Sequence, residues 1–315
     1  MTTTTTGLLG HGFDGPEDYI ERITYQIWNE PRDVESISNY YGTGTRIHTS
    51  AGDVVGDAAV VANTRDRLVA YPDFHGRIDD TIWTGSEDEG YRTSMRWTWT
   101  GTNTGPSPFG PATGRPVVFQ AIANCVVRGQ VIVEEWLGAN PLSQVRQLGL
   151  PVDEVIPRLP SLPADPPVRH GVTDVSGAAG QSVLDALDAL LSRGSVRGFD
   201  ARCRSWLSAD DLVDGADGLA TWAERLSSRV ADLTVELDDQ YEQPGDDALL
   251  RVASQLYLTG TGPTGALSEL LIAHHHVREG RVVGQWLAYD ELALERRGVP
   301  LERAGVPAPP SSDRP

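Results

Sequence analysis

The 315-residue chain has two cysteines, Cys125 and Cys203, one in each half and neither in a CxxC pair. That excludes a disulfide framework and fits a reducing cytoplasm. Basic charge is scarce as well: 26 Lys and Arg stand against 44 Asp and Glu, a formal net charge of −18. A surface so acidic is expected to bind neither nucleic acid nor an anionic membrane, because both need a basic face. No run approaches the ~20 apolar residues of a membrane span. The opening MTTTTTGLLGHGFDG has no basic region and no sustained apolar run, so no signal peptide is expected there. There is no phosphate-binding P-loop, no strand–GxGxxG–helix unit and no GxSxG elbow. The expectation is a cytoplasmic protein with no cofactor.

What is present is an internal repeat. Placing Asp73 on Asp232 also places Asp79 on Asp238 and Asp80 on Asp239, and Gly56 and Gly215 each stand 17 residues upstream. Downstream, RWTWTGTNTG (96–105) meets QLYLTGTGPTG (255–265), and VEEWLGANPL (133–142) meets VGQWLAYDEL (283–292). Four matches in one order mark two divergent copies of a domain. With 39% hydrophobic and 22% charged residues, both copies should fold.

Each copy opens with helical periodicity. In DYIERITYQIWNE, Tyr19, Ile20, Ile23, Ile27 and Trp28 fall on one stripe. DVESISNYY and 57–71 follow as further helices, and SVLDALDALLSR and GLATWAERLSSRV as their counterparts in the second copy. Alternating segments come next: FHGRIDDTIW, YRTSMRWTWTG, PVVFQAIANCVV and QVIVEEWLG. Helices followed by a run of strands predict an α+β class. The expected domains are 17–150 and 181–299. A flexible 1–16, a linker at 151–180 with six prolines in LPVDEVIPRLPSLPADPPVRHGV, and a disordered tail at 300–315 complete the chain.

The segments WNEPRDVESISNYYGTGTRIHTSAGDVVG, YPDFHGRIDD, RWTWTGTNTG, TGRPVVFQAIANCVVR and VIVEEWLGANPLSQVRQLG together resemble a SnoaL-like, polyketide cyclase-type domain of the nuclear transport factor 2 superfamily. The likeness covers nearly all of 17–150 and, more weakly, 181–299. It implies two tandem cone-shaped domains, each with helices packed on a curved antiparallel sheet and a pocket at the open end. It also implies an intramolecular pseudo-dimer, compatible with a further homo-oligomer. Relatives on this fold include cyclases, isomerases, dehydratases, epoxide hydrolases and non-catalytic adaptors, so the fold alone does not set the reaction. Two positions depart from the cyclase pattern. Leu137, and Leu287 in the second copy, stand where the acid–base Asp is expected, and Asn103 replaces the histidine of the family's GTHTG segment.

Strand parity nominates the pocket walls. Tyr91, Met95, Trp97 and Trp99 share a face, as do Phe119, Ala121, Ala123 and Cys125. On the last strand Glu135 lies with Val133 and Leu137. On the strand before the tryptophans Phe74, Gly76, Ile78 and Asp80 count inward and His75 outward. Glu135 and Asp80 are therefore the candidate catalytic carboxylates, since a desolvated carboxyl can exchange protons near neutrality. Asp80, repeated as Asp239, reads first as a residue that caps a strand or binds backbone amides, ahead of a catalytic role. His48, in RIHTSAGDVVG, is a candidate acid–base partner at the pocket mouth or a surface loop histidine, and the second copy is expected to lack that segment. Trp97, Trp99, Phe119, Met95, Tyr41 and Asn140 are candidate substrate-binding residues. Tyr41, with Trp28 and Tyr40, also reads as core, and Asn140 as a backbone ligand after the strand. His274, His275 and His276 alternate faces along a strand and have no Cys, Asp or Glu at ligand spacing, so no metal site is expected. The expected function is cofactor-independent acid–base chemistry on a small, mostly apolar molecule in the first copy. The alternative is a non-catalytic carrier of a hydrophobic ligand.

Overall fold

The computed structural model describes residues 7–300 and 306–307. They divide into two compact units: one takes the residues up to 137 plus 145–161, the other 138–144 plus those from 162 on. Of the expected flexible start, 1–6 lie outside the described residues, while 7–16 include a short helix at Leu8–His11 with Leu8 and Phe13 buried. The expected disordered tail lies outside them apart from 300 and 306–307.

In the first unit α1 (Pro16–Trp28) starts on a proline, with Glu17 and Asp18 in its first turn. Proline gives up no needed hydrogen bond there, and acids complement the positive helix end. The apolar stripe is the buried one, carrying Tyr19, Ile20, Ile23 and Ile27. The helix stops at Asn29, whose side-chain amide donates to the Gly76 carbonyl at 2.7 Å and accepts from its N–H at 2.8 Å. Those two bonds pin the Trp28 end of α1 to the sheet. A Cβ on Gly76 would sit 2.6 Å from the Trp97 ring, so only glycine allows so close an approach.

Next come α2 (Ile37–Tyr40), β1 (Tyr41–Thr49), β2 (Gly52–Val55) and α3 (Asp57–Ala70). The long strands β3 (His75–Ser86), β4 (Gly90–Thr102), β5 (Pro116–Arg128) and β6 (Val131–Ala139) follow, then α4 (Pro141–Leu148) and α5 (Val152–Val155). The sheet order is β2-β1-β6-β5-β4-β3. It is mixed, because β1 runs parallel to β6 while β1–β2, β3–β4 and β4–β5 are antiparallel.

The second unit repeats this plan with α6 (Gly177–Arg193), β7 (Phe199–Ser208), β8 (Asp211–Asp214), α7 (Ala216–Ser227) and β9 (Ala231–Pro244). It continues through β10 (Leu250–Gly262), β11 (Gly265–Arg278), β12 (Arg281–Tyr289), α8 (Glu291–Arg296) and the short β13 (Val306–Pro307). Its order, β13-β8-β7-β12-β11-β10-β9, matches the first apart from the added edge strand, and β7 is again parallel to β12. Gly56 and Gly215, with φ of 82° and 78°, open α3 and α7 in the same left-handed turn.

Two expectations are corrected here. The second copy does have the segment that carries His48: the β7–β8 hairpin occupies it, and Trp206 pairs with Trp286 as His48 pairs with Trp136. Its chemistry has diverged too far for the sequence to show the match. The count that turned Asp80 inward also fails. Ile78 pairs with Trp97 but Asp80 with Arg96, because Asp79 is the extra residue of a β-bulge. The bulge flips the phase and puts Asp80 on the Arg96 face. Asp238 makes the same bulge in the second unit, between Leu237 and Asp239. The repeated Asp-Asp is a repeated kink. Asp79 takes a hydrogen bond from Thr98 (2.6 Å) and ion pairs with Arg77 (2.6 Å) and Arg96 (3.5 Å). Asp238 accepts from the N–H groups of His170 and Gly171 and from Gln255.

Candidate functional site

The tryptophan face of β4 packs against α1 and the aromatic residues around it. Trp97 pairs with Ala121 and Trp99 with Phe119 across β4 and β5. Trp28, Phe74, Trp97, Trp99, Tyr71 and Phe119 form a continuous chain of rings, with neighbouring centroids 4.8–5.8 Å apart. Met95 sits on the same face and its sulfur lies 3.6 Å from Thr24 Oγ1 on α1. Trp97, Trp99, Phe119 and Met95 are all buried. A second apolar cluster, Ile27, Ile37, Ile47, Val60 and Val61, is flanked by the partly buried Trp28, Tyr40, Tyr41, Val54 and Leu137. Leu137, in the place of the expected Asp, is therefore part of an apolar wall.

Glu135 lies on this inner face, 6% exposed. Tyr41 donates its phenol proton to Glu135 Oε2 at 2.9 Å, and the Cys125 thiol donates to the same carboxyl. Both bonds favour the carboxylate, yet removal from water outweighs them and raises the Glu135 pKa from 4.5 to about 7. Burial and the neighbouring carboxyl push the Tyr41 phenol and the Cys125 thiol well above their ordinary values, so both stay protonated donors. Tyr19, fully buried and raised for the same reason, anchors its hydroxyl on the Gln130 carbonyl at 2.8 Å. At neutral pH the carboxyl is divided between its two protonation states and can serve as either acid or base. Glu21 on α1, half-buried and held by Thr81 at 2.8 Å, is a second carboxyl raised by desolvation.

The structure does not bring His48 or Asp80 to Glu135. In the parallel pairing Ile47 is opposite Glu135 and His48 opposite Trp136, so the imidazole faces the other side of the sheet. There its Nδ1 contacts Asp53 at 2.9 Å and its Nε2 contacts Glu134 at 3.1 Å, with the Trp136 ring 5.2 Å away. The expectation that His48 assists at the pocket mouth is corrected by that register. Asp80→Asn is accordingly expected to change the unfolding free energy without a selective loss of rate, measured by denaturant titration beside initial rates. His48→Ala should cost about 2 kcal/mol of stability, the usual size for hydrogen bonds to charged groups, again without selective rate loss. A rate loss in either variant at unchanged stability would reinstate it in the chemistry.

Asn140 caps α4, accepting from the Ser143 N–H at 3.3 Å, and Asp290 caps α8 through Ala293 N–H at 2.8 Å. Asn103 is fully buried and ties its own loop, donating to the Gly105 carbonyl and accepting from Thr113 N–H. Among the described residues no group of three or more His, Cys, Asp or Glu is placed to hold a metal ion. Sequence reasoning passed over Arg67 and Tyr71. Arg67 recurs at helical spacing with Val60 and Thr64, and that spacing was the signal for it.

The equivalent face of the second unit is largely aliphatic, apart from the buried Glu269, opposite Leu258 in the place of Phe119, and His275. Leu256, Leu258, Leu271, Ala273 and Leu287 are each at most 2% exposed and pack with Leu187, Leu190, Leu219 and Leu226. Gln285 takes the place of Glu135 and bonds Ser205 at 3.0 Å. His275 takes that of Cys125, and burial with the adjacent His274 and His276 lowers its pKa to about 3, so it is neutral. An open cleft of about 680 Å³ in this unit, lined by Ser182, Asp185, Arg193, Arg197 and Gly198 among others, shares no residue with that face.

Residues 19–148 match the family model described as SnoaL-like polyketide cyclase. Those residues are similar to a SnoaL-like domain. Similar solved structures include a proposed polyketide cyclase from Bacillus cereus, at 22% identity over 42% of this chain and 79% of that one, TM-score 0.34. TsrD from Streptomyces laurentii shows 21% identity over 42% and 93% of the two chains, TM-score 0.37. Wild-type IdmH from Streptomyces antibioticus, also a proposed polyketide cyclase, shows 22% identity over 43% and 99%, TM-score 0.36. No curated protein matches the chain. Both units are α+β, and no helix among the described residues is long and apolar enough to cross a membrane.

Proposed function

We propose that the first unit is a cofactor-independent acid–base enzyme of the cyclase, isomerase, dehydratase or hydrolase kind. Its substrate is a small, mostly apolar molecule with a carbonyl, ester or hydroxyl group, and a cytoplasmic setting is supported by two free, buried cysteines. Glu135 carries the proposal: a buried carboxyl, pushed up to about 7 and held by Tyr41 beside an apolar wall. Such a group takes a proton from an acidic C–H, or protonates a leaving oxygen, at physiological pH. The phenol of Tyr41 stays protonated, and its single O–H, donated to Glu135, steadies that carboxyl. The second unit, with Gln285 and a largely aliphatic interior, is a non-catalytic copy on this reading.

Deuterium uptake at the α-carbon of a panel of β-keto esters, followed by NMR from about pH 5 to about pH 9, tests the reading. Exchange above the buffer rate, with a midpoint near the Glu135 pKa and lost in Glu135→Gln, is the expected result. Wild-type exchange by Glu135→Gln would reject Glu135 as the acid–base group. Leu137 in the wall, where a cyclase is expected to carry Asp, favours the alternative of a hydrophobic-ligand carrier. A tightly bound ligand recovered unchanged after long incubation would establish that instead.

A further inference from the structure

On or beside the first unit's aromatic chain two buried polar atoms, the Tyr71 hydroxyl and the Trp99 indole N–H, have no hydrogen-bond partner among the described residues, and the partly exposed Arg67 stands one helical turn before Tyr71. Arg67 is on α3, seven residues after Val60 and three after Thr64. At 3.6 residues per turn that puts it about 20° from Val60 around the helix, on the stripe that buries Val60 and Thr64. A charged side chain there lies at the edge of the apolar interior, and Arg67 is partly buried. Its guanidinium lies over the Trp28 ring, 5.3 Å from the centroid, and no carboxylate among the described residues pairs with it. Burial holds its pKa below the ordinary value. One turn on, Tyr71 is 3% exposed, and its hydroxyl has no hydrogen-bond partner among the described residues. Its ring meets Trp99 with centroids 5.3 Å apart, and the Trp99 indole N–H, also buried, lacks an acceptor as well. Buried donors are normally satisfied, and a partly buried cation without a counter-charge is costly.

The repeat shows that the fold does not need these groups. Gly56 and Asp73 align with Gly215 and Asp232 at one offset, so Arg67, Tyr71 and Trp99 align with Leu226, Val230 and Leu258. All three counterparts are aliphatic and at most 1% exposed. Nor does the helix end require Arg67 for its dipole, because α7 places its basic residue, Arg225, one position earlier and off the apolar stripe.

We propose that Arg67 and Tyr71, with Trp99 beside them, form a carboxylate-recognition site, so that the molecule bound in the first unit carries an anionic carboxylate on its apolar, ring-bearing body. This rests on the reading that the first unit's inner face binds the ligand, and it names the class of ligand. Arg67 supplies the charge and a bidentate fork, Tyr71 a hydroxyl donor, and the Trp28 and Trp99 rings cover the ring system. Arg67 and Tyr71 are specificity residues here, and Glu135 remains the acid–base group.

Calorimetric titration of the full chain with 2-naphthoate and with uncharged 2-naphthamide tests the site. Wild type should bind the acid at least about tenfold more tightly, the worth of one charge-assisted bond. Arg67→Leu, the residue of the second copy, should abolish that preference while leaving affinity for the amide unchanged. Tyr71→Phe removes a single oxygen and should reduce the preference severalfold even if Arg67→Leu fails to fold. Equal affinity for acid and amide, a preference that survives Arg67→Leu in the folded protein, a preference unchanged in Tyr71→Phe, or no binding of either probe at millimolar concentration would overturn the proposal. Glu135→Gln separates it from the catalytic reading: the acid preference should persist in that variant, whatever its effect on proton exchange.

Discussion

Glu135→Gln is expected to lower turnover by about 100-fold or more, the usual contribution of a general acid–base group. The amide keeps the shape of the side chain and can still accept the Tyr41 hydrogen bond, but it has no proton to give or take. Ligand affinity and folding should therefore survive, and the loss should fall on kcat. No other group on the inner face is equally placed to substitute. Asp80 is turned away by the Asp79 bulge, His48 faces Glu134 and Asp53, and Leu137 has no titrating atom. Glu21 is raised by desolvation but only half-buried, and it is tied to Thr81. Initial rates across pH decide the matter. The wild-type profile should bend near pH 7, where Glu135 changes charge, and that bend should vanish in the variant. Retention of both rate and bend in Glu135→Gln would place the chemistry elsewhere.

The sequence carried the helices, the strands and the repeat, because period and alternation survive divergence. The stripe through Tyr19, Ile20, Ile23 and Ile27 is the buried face of α1, and the odd-numbered residues of β4 and β5 do share a face. Parity counting worked on those strands because neither breaks register with the other. On β3 it failed at one residue. A bulge inserts a residue without altering composition, so nothing in HGRIDDTIW announces that Asp79 and Asp80 lie on the face of Arg96. The aligned Asp-Asp of the second copy was the available clue, read as a backbone-binding or catalytic acid rather than as a kink. The β7–β8 hairpin was missed for the opposite reason: its geometry is kept while His48 became Trp206. Arg67 was legible in principle. A cation that recurs with Val60 and Thr64 at helical spacing conflicts with the apolar stripe, and conflicts of that kind collect where a ligand binds.

Glu135 should also make the protein less stable as pH rises, by an amount the sequence could not suggest. In the unfolded chain its carboxyl titrates near 4.5, and in the folded protein near 7. Below about pH 4.5 both states hold the proton and the residue has no pH-linked cost. Between 4.5 and 7 the unfolded chain releases a proton that the folded protein keeps, so folding stability falls as pH rises. Above 7 both states are ionised and the loss is constant. The gap in pKa corresponds to about 3 kcal/mol at 1.36 kcal/mol per unit. Asp290, raised to about 6 by burial, slopes the same way in the second unit, so the wild-type curve alone cannot isolate Glu135. The difference between Glu135→Gln and wild type can, because Asp290 contributes equally to both. Urea denaturation at about pH 4 and about pH 8 should show the variant gaining on wild type by up to about 3 kcal/mol over that interval. A difference that stays flat with pH would mean the folded carboxyl titrates at its ordinary value, and that the interior around Tyr41 and Cys125 is better solvated than its burial indicates. The proton poise that suits Glu135 for catalysis and its cost to the fold have one cause, the removal of a carboxyl from water without a counter-charge. A variant that keeps activity while losing this pH-dependent cost would separate them and show that the working proton belongs to another group.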